Sequence, residues 1–143
     1  MREAFSFLRP VRDDYPLIPI EDGFNWQACA DGIDIPDLYL VVFRSVRRAD
    51  ADTAILKEYD DLAYEDARAA PGFLYYFRGQ LTPERSCLSF CLWQSRAEAR
   101  SASARTPHAS AAGLVSRMYE SYVLERHCLT QERGMLVFQR LTG

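Results

Sequence analysis

The chain has 143 residues, of which 48% are apolar, 26% charged and 13% aromatic, and its net charge is −3. That length suits one globular domain, able to bury roughly 68–70% of its unfolded surface without disulfides or metal. The aromatic content excludes disorder. The dispersed, slightly acidic charge excludes a nucleic-acid footprint, and no apolar run approaches the ~20 residues of a membrane span.

Lys57 is the only lysine among 17 basic residues, a bias typical of high-GC bacterial codon usage. The four cysteines are Cys29, Cys87, Cys91 and Cys128. The segment Met1-Arg2-Glu3-Ala4-Phe5 lacks the apolar stretch of a signal peptide. A reducing, cytoplasmic setting without structural disulfides is therefore expected. No Cys-x-x-Cys pair or His/Cys cluster has the spacing of a zinc site, so no metal is expected.

Residues 1–37 read as an irregular arm packed on the rest of the chain. The arm holds Pro10, Pro16, Pro19 and Pro36, together with Phe5, Phe7, Tyr15, Phe24 and Trp26. A helical turn is compatible with Asn25–Ala30. The remainder, 38–143, reads as one domain. Leu38–Val46 is β-branched and aromatic, the composition of a strand. Asp50-Ala-Asp-Thr53 supplies N-cap chemistry, and Ile55, Leu56, Tyr59, Leu62, Ala63 and Ala67 recur at helical spacing. Pro71-Gly72 ends that helix. Phe73–Arg78 and Ser86–Trp93 are strands joined by a short turn, hence an antiparallel hairpin.

Ser95-Arg-Ala-Glu98 is a capping box opening a second helix, which Thr106-Pro107 restarts and Leu114, Val115 and Met118 continue. Tyr119–Thr130 is a fourth strand, Gln131–Gly134 a turn and Met135–Leu141 a fifth strand. The order β-α-β-β-α-β predicts an α+β, ferredoxin-like fold with an antiparallel sheet. The arm precedes this unit and an extra C-terminal strand follows it. The sheet face away from the helices carries apolar groups too, Trp93 being assigned there. An apolar face wants a cover, and a homodimer packing two sheets together is the expected one.

The run Cys87-Leu-Ser-Phe-Cys-Leu-Trp-Gln-Ser-Arg-Ala-Glu-Ala-Arg100, followed by Thr106-Pro-His108, resembles the dimeric α+β barrel superfamily. Within that superfamily it resembles the antibiotic biosynthesis monooxygenase group. The resemblance covers about residues 38–130 and rests on Trp93, Ser95 and His108. It implies a small-molecule-binding homodimer related to cofactor-free monooxygenases, with no cofactor and a small apolar or aromatic ligand. Two alternatives accompany it: a non-catalytic dimeric binding or stress-associated domain, and a haem-binding or haem-degrading protein. For haem degradation the first strand lacks the group's asparagine and the second helix its tryptophan, so only His108 matches.

His108, at a helix start, is the candidate catalytic base. Trp93, Arg44, Arg78, Tyr76 and Tyr122 are the candidate ligand-binding residues. An arginine on a sheet face requires an anionic partner, either an internal carboxylate or a ligand oxyanion. Tyrosines such as Tyr75, Tyr76, Tyr119 and Tyr122 bring both apolar surface and a hydroxyl. His127 shares a strand face with Glu125 and Val123 and is expected to be solvated or at an interface.

Overall fold

The computed structural model describes residues 2–103 and 118–142. Prolines and glycines hold the arm's helices to about one turn each. These are α1 (Arg2–Phe5), a 3-10 turn at Tyr15–Leu17, α2 (Ile20–Gly23) and α3 (Trp26–Ala30). Then follow β1 (Leu38–Arg47), α4 (Thr53–Ala69), β2 (Phe73–Phe77), β3 (Ser86–Trp93), α5 (Arg96–Ser103), β4 (Tyr119–Glu132) and β5 (Met135–Leu141).

The cap chemistry read from the sequence sets the helix starts. The Asp52 carboxylate accepts the Ile55 N–H at 3.1 Å and opens α4. The Ser95 hydroxyl accepts the Glu98 N–H at 3.2 Å and donates to the Glu98 carboxylate at 3.1 Å, opening α5. β4 and β5 are joined by two residues with positive φ, Arg133 at 52° and Gly134 at 80°. This is the geometry of the tight type I′ hairpin turn. The expected continuation of the second helix through Thr106-Pro107, Leu114 and Val115 lies outside the described residues, as does His108.

The strands form one sheet in the order β2-β3-β1-β4-β5, every neighbouring pair antiparallel. β1 and β2 therefore run parallel with β3 inserted between them, the split βαβ arrangement expected from the element order. Side chains alternate across the sheet. Tyr39, Val41 and Phe43 of β1, with Cys91 and Trp93 of β3, face the helices and pack with Ala67, Ala70, Ala99 and Ala102. Leu38, Leu40 and Val42, with Leu88, Phe90 and Leu92, face the other way and are at most 2% exposed. A register shift between Phe73 and Tyr75 turns both Leu74 and Tyr75 toward this second face.

What covers the second face is the arm. Phe5, Leu8, Ile20, Phe24, Trp26, Cys29, Ala30 and Ile35 form a single core with the sheet's leucines and Phe90. Phe24 is the hub, with ring centroids 5.4 Å from Tyr15, 4.9 Å from Phe77 and 5.2 Å from Phe90. Two expectations are corrected here. Trp93 points into the helix layer, because β3 alternation pairs it with Tyr39 and Phe73. The face expected to meet a second sheet is packed by the arm's own residues.

The arm's backbone bonds close mostly tight turns, such as the Leu17 N–H to the Asp14 carbonyl at 2.9 Å, and side-chain amides tie the arm to the sheet. Gln27 donates to the Gly134 carbonyl at 2.9 Å and accepts the Leu136 N–H at 3.0 Å. Gln131 accepts the Ile35 N–H and donates to the Ile33 carbonyl, both at 2.8 Å. The buried Trp26 indole donates to the Ile20 carbonyl at 3.0 Å. Because the arm shares its core with the sheet, Trp26→Ala is expected to destabilise the whole domain by ~3–5 kcal/mol. Urea denaturation followed by circular dichroism should show one cooperative transition at a lower midpoint. A separate early transition would mean that the arm folds independently of the sheet.

Candidate functional site

The arm-side face stops being apolar toward the end of β1. Beyond Val42 the next inward position is Arg44, and its neighbours on β4 are Val123 and, one pair further, Glu125. Arg44 Nε donates to Glu125 Oε2 at 2.5 Å, with only 20% and 11% of the two side chains exposed. The remaining guanidinium nitrogens donate to arm carbonyls, Pro16 at 2.9 Å and Ile18 at 2.8 Å. One guanidinium therefore neutralises a buried carboxylate and holds a proline-rich loop against the sheet. A buried arginine needs this full set of acceptors.

His127 stands two residues further along β4, and its Nε2 lies 3.2 Å from Glu125 Oε1. A carboxylate fixes the tautomer of such a ring, so Nε2 carries the proton and donates it to Glu125. Nδ1 is buried and without a hydrogen-bond partner among the described residues. Arg140 of β5 sits opposite His127 in the ladder. Burial alone would raise the Glu125 carboxyl. The hydrogen bonds from Arg44 and His127 and the charges of Arg44 and Arg140 outweigh it and hold that carboxyl below its ordinary value.

These groups line a groove of about 570 Å³ between the sheet and the arm loop at residues 16–21. Leu17, Ile18, Ile20, Val123 and Phe138 supply its apolar walls. The volume lies within the range of small-molecule sites, which combine apolar walls with a few convergent polar groups.

The candidate residues from the sequence are not gathered here. Among the described candidates, Arg44 alone belongs to the groove. Tyr76, Tyr122, Trp93 and Arg78 belong to the helix side or its edge, and β3 stands between the strands of Arg44 and Arg78. Arg78 bridges Asp60 at 2.6 Å and Asp61 at 2.7 Å and lies 6.0 Å from the ring centres of both Tyr64 and Tyr76. The Tyr76 hydroxyl donates to Asp60 at 2.6 Å. Burial, then the charge of Asp60, push the Tyr76 phenol far above its usual range. These groups satisfy one another in an internal network beside a second, open cleft of about 530 Å³. Tyr122 packs on Phe43 and Tyr119. Trp93 is a packing residue at 3% exposure. His127, expected to be solvated or at an interface, is 5% exposed, because β5 and the arm close over β4. Charged residues at alternate positions of an inner strand were the available signal for Glu125 and His127. Their union with Arg44 required the β1–β4 register.

A family model described as PB2B2.08-like matches residues 1–140. The chain belongs to the PB2B2.08-like family. No curated protein sequence matches it. Among solved structures it is similar to Rv0793 from Mycobacterium tuberculosis, with TM-score 0.56 and 17% identity over 62% of this chain and 91% of that one. It is also similar to SnoaB, a cofactor-independent oxygenase from Streptomyces nogalater. There the TM-score is 0.51 and the identity 14% over 69% of this chain and 96% of that one. A candidate antibiotic biosynthesis monooxygenase from Nitrosomonas europaea gives TM-score 0.53 and 14% identity over 61% of this chain and 86% of that one. These likenesses establish the ferredoxin-like fold of the antibiotic biosynthesis monooxygenase group. They use up nearly all of each neighbour, so roughly a third of the PB2B2.08-like chain has no counterpart in them. The PB2B2.08-like family model, in contrast, includes the arm and therefore both walls of the groove.

The lowered Glu125 carboxyl links the site to stability. Its contribution is complete above the ordinary glutamate range and is lost as pH falls through the lowered value, where Arg44 loses its anion. Glu125→Gln is expected to cost ~1.5–3 kcal/mol at neutral pH and to flatten the acid side of the stability profile. Urea midpoints measured between neutral and strongly acidic pH would show the two curves converging as pH falls. Parallel curves would mean that Glu125 is not the group responsible.

Proposed function

We propose that this protein binds a small, weakly acidic aromatic or enolic molecule in the arm–sheet groove and that His127 accepts its proton. The observation that carries this reading is the buried His127, a lining residue of a cavity of about 570 Å³, with Nε2 committed to Glu125 and a buried Nδ1 that has no hydrogen-bond partner among the described residues. A histidine oriented by a carboxylate is the usual arrangement for a general base. In the tautomer that Glu125 selects, Nδ1 presents a lone pair. As it takes up a proton, the Glu125 carboxylate stabilises the resulting imidazolium. Arg140 supplies positive charge for the ligand's developing oxyanion, while Arg44 keeps Glu125 ionised. The apolar walls hold an aromatic ring.

Proton removal from a phenol or enol is the opening step of oxygenation without a cofactor, the activity that names SnoaB. For a methylene flanked by aromatic rings, the resulting carbanion gives its electrons to dioxygen. The CH₂ becomes C=O, one oxygen atom stays on carbon and the other leaves as water. Every step draws only on substrate, dioxygen and a base. The four free thiols, two of them fully buried, suit a reducing compartment.

Titration with a hydroxynaphthalene and with an anthrone tests this reading, using the ligand's anion absorbance for binding and an oxygen electrode for turnover. Binding should bring up the anion band. His127→Gln should abolish that band and reduce any oxygen uptake by ~10²-fold or more. Binding with the band but without oxygen uptake would identify a binding module. A band unchanged in His127→Gln, or no binding across the panel, would overturn the assignment of His127.

A further inference from the structure

The charged groups that line the groove differ in how far they are already engaged. On the sheet side stand Arg44, Glu125, His127 and Arg140, and on the arm side Glu21. Each of the three Arg44 nitrogens already donates, to Glu125, to the Pro16 carbonyl and to the Ile18 carbonyl. Glu125 is held by Arg44 and His127. It feels the charge of Arg140 without pairing with it. Arg140 forms no ion pair among the described residues, so it is the groove cation left open to a ligand there.

The β4–β5 ladder gives that cation a direction. Arg140 stands directly opposite His127, so the two side chains leave the same face of the sheet with Cβ atoms ~4.5–5.5 Å apart. His127 is buried, whereas Arg140 is exposed. The pair therefore marks an inner and an outer end of one site. Phe138, two residues before Arg140 and on the same face, lines the groove between them. Its ring meets the His127 ring edge-on, at 6.4 Å and 76°. A permanent carboxylate is costly to bury without a partner, and a guanidinium can receive one through two parallel hydrogen bonds. A neutral, weakly acidic hydroxyl carries a smaller penalty and can move inward.

We infer that the groove selects elongated aromatic acids, with a carboxylate held by Arg140 at the solvent end and an ionisable hydroxyl at the far end of the ring, against His127. This substrate class rests on the reading of His127 as the proton acceptor. Glu21 of the arm wall has the same sign as the carboxylate and turns it toward the sheet. A ligand with both groups on adjacent carbons fits poorly, because its carboxylate would be drawn inward toward Glu125. A carboxylate on Arg140 matches the guanidinium before any proton moves. A ligand without one leaves Arg140 only the developing oxyanion to stabilise.

Fluorescence titration at neutral pH and low salt with 2-naphthol, 6-hydroxy-2-naphthoate and 3-hydroxy-2-naphthoate tests this. The 6-hydroxy acid should bind about tenfold more tightly than 2-naphthol, the scale of one charge-assisted pair. The 3-hydroxy isomer should lack that gain, and added salt should shrink it. Arg140→Gln should bring the ratio of the two dissociation constants to about one. Arg140→Glu should invert it and prefer 6-(aminomethyl)-2-naphthol to the 6-hydroxy acid, a gain that misfolding cannot produce. A ratio near one in the unaltered protein, or a preference that survives Arg140→Gln, would overturn the role of Arg140. In that case an anion band lost in His127→Gln would leave the proton acceptor standing. Binding of none of these ligands would overturn both readings.

Discussion

A sheet that is apolar on both faces cannot be stable with one face wet, and the architecture of this protein follows from that constraint. The helices cover one face. On the other, Leu38, Leu40, Val42, Leu88, Phe90, Leu92 and Leu129 are sealed by an arm that supplies Phe5, Ile20, Phe24 and Trp26. The arm is too rich in proline for a strand or a long helix, so its own backbone bonds close tight turns and do not join it to the sheet. Its placement depends on polar anchors reaching up from the sheet. Gln131 and Arg44 supply them, and Gln27 of the arm reaches back to the β4–β5 turn.

Arg44 couples this structural task to the site. Three directions of its guanidinium are taken by Glu125, Pro16 and Ile18. The bond to Glu125 lowers the carboxyl, and the ionised Glu125 fixes the orientation of His127. The bonds to the arm place the loop at residues 16–21 as the groove's outer wall. The groove and the arm's attachment thus share one electrostatic network. A change in the charge of Glu125 acts on both the shape and the chemistry of the cavity. Helix-side Arg78 shows the contrast: it pairs with Asp60 and Asp61 of α4 and lies against the rings of Tyr64 and Tyr76, linking α4 to the end of β2.

The elements were legible because their signals are local. The Ser95–Glu98 box, the cap before α4, the period-2 alternation of β3 and the Arg133-Gly134 turn each act within a few residues, and their order yields the split βαβ topology. The assignment of faces was not legible. Trp93 and Leu92 differ by one position, and only the β1–β3 register shows which of them meets the helices. The arm read as irregular, yet its aromatics gave no sign that they would replace a second sheet. That outcome depends on contacts some 60 residues apart, such as Phe24 with Phe90. His127 and Glu125 were visible as neighbours on one face. Their burial comes from β5 and the arm closing over β4.

The distribution of likeness places the site within the family more than within the fold. The sheet and its helices are what SnoaB and the other solved neighbours share with this chain, at 12–17% identity. The groove needs both Glu125 and His127 of the sheet and the loop at residues 16–21. At 14–17% identity a common fold carries no residue-level role across. The PB2B2.08-like model spans the arm and the sheet together. Selection acting on the groove would act on both at once. His127 is buried because the arm and β5 close over β4, and the same closure supplies the groove's walls.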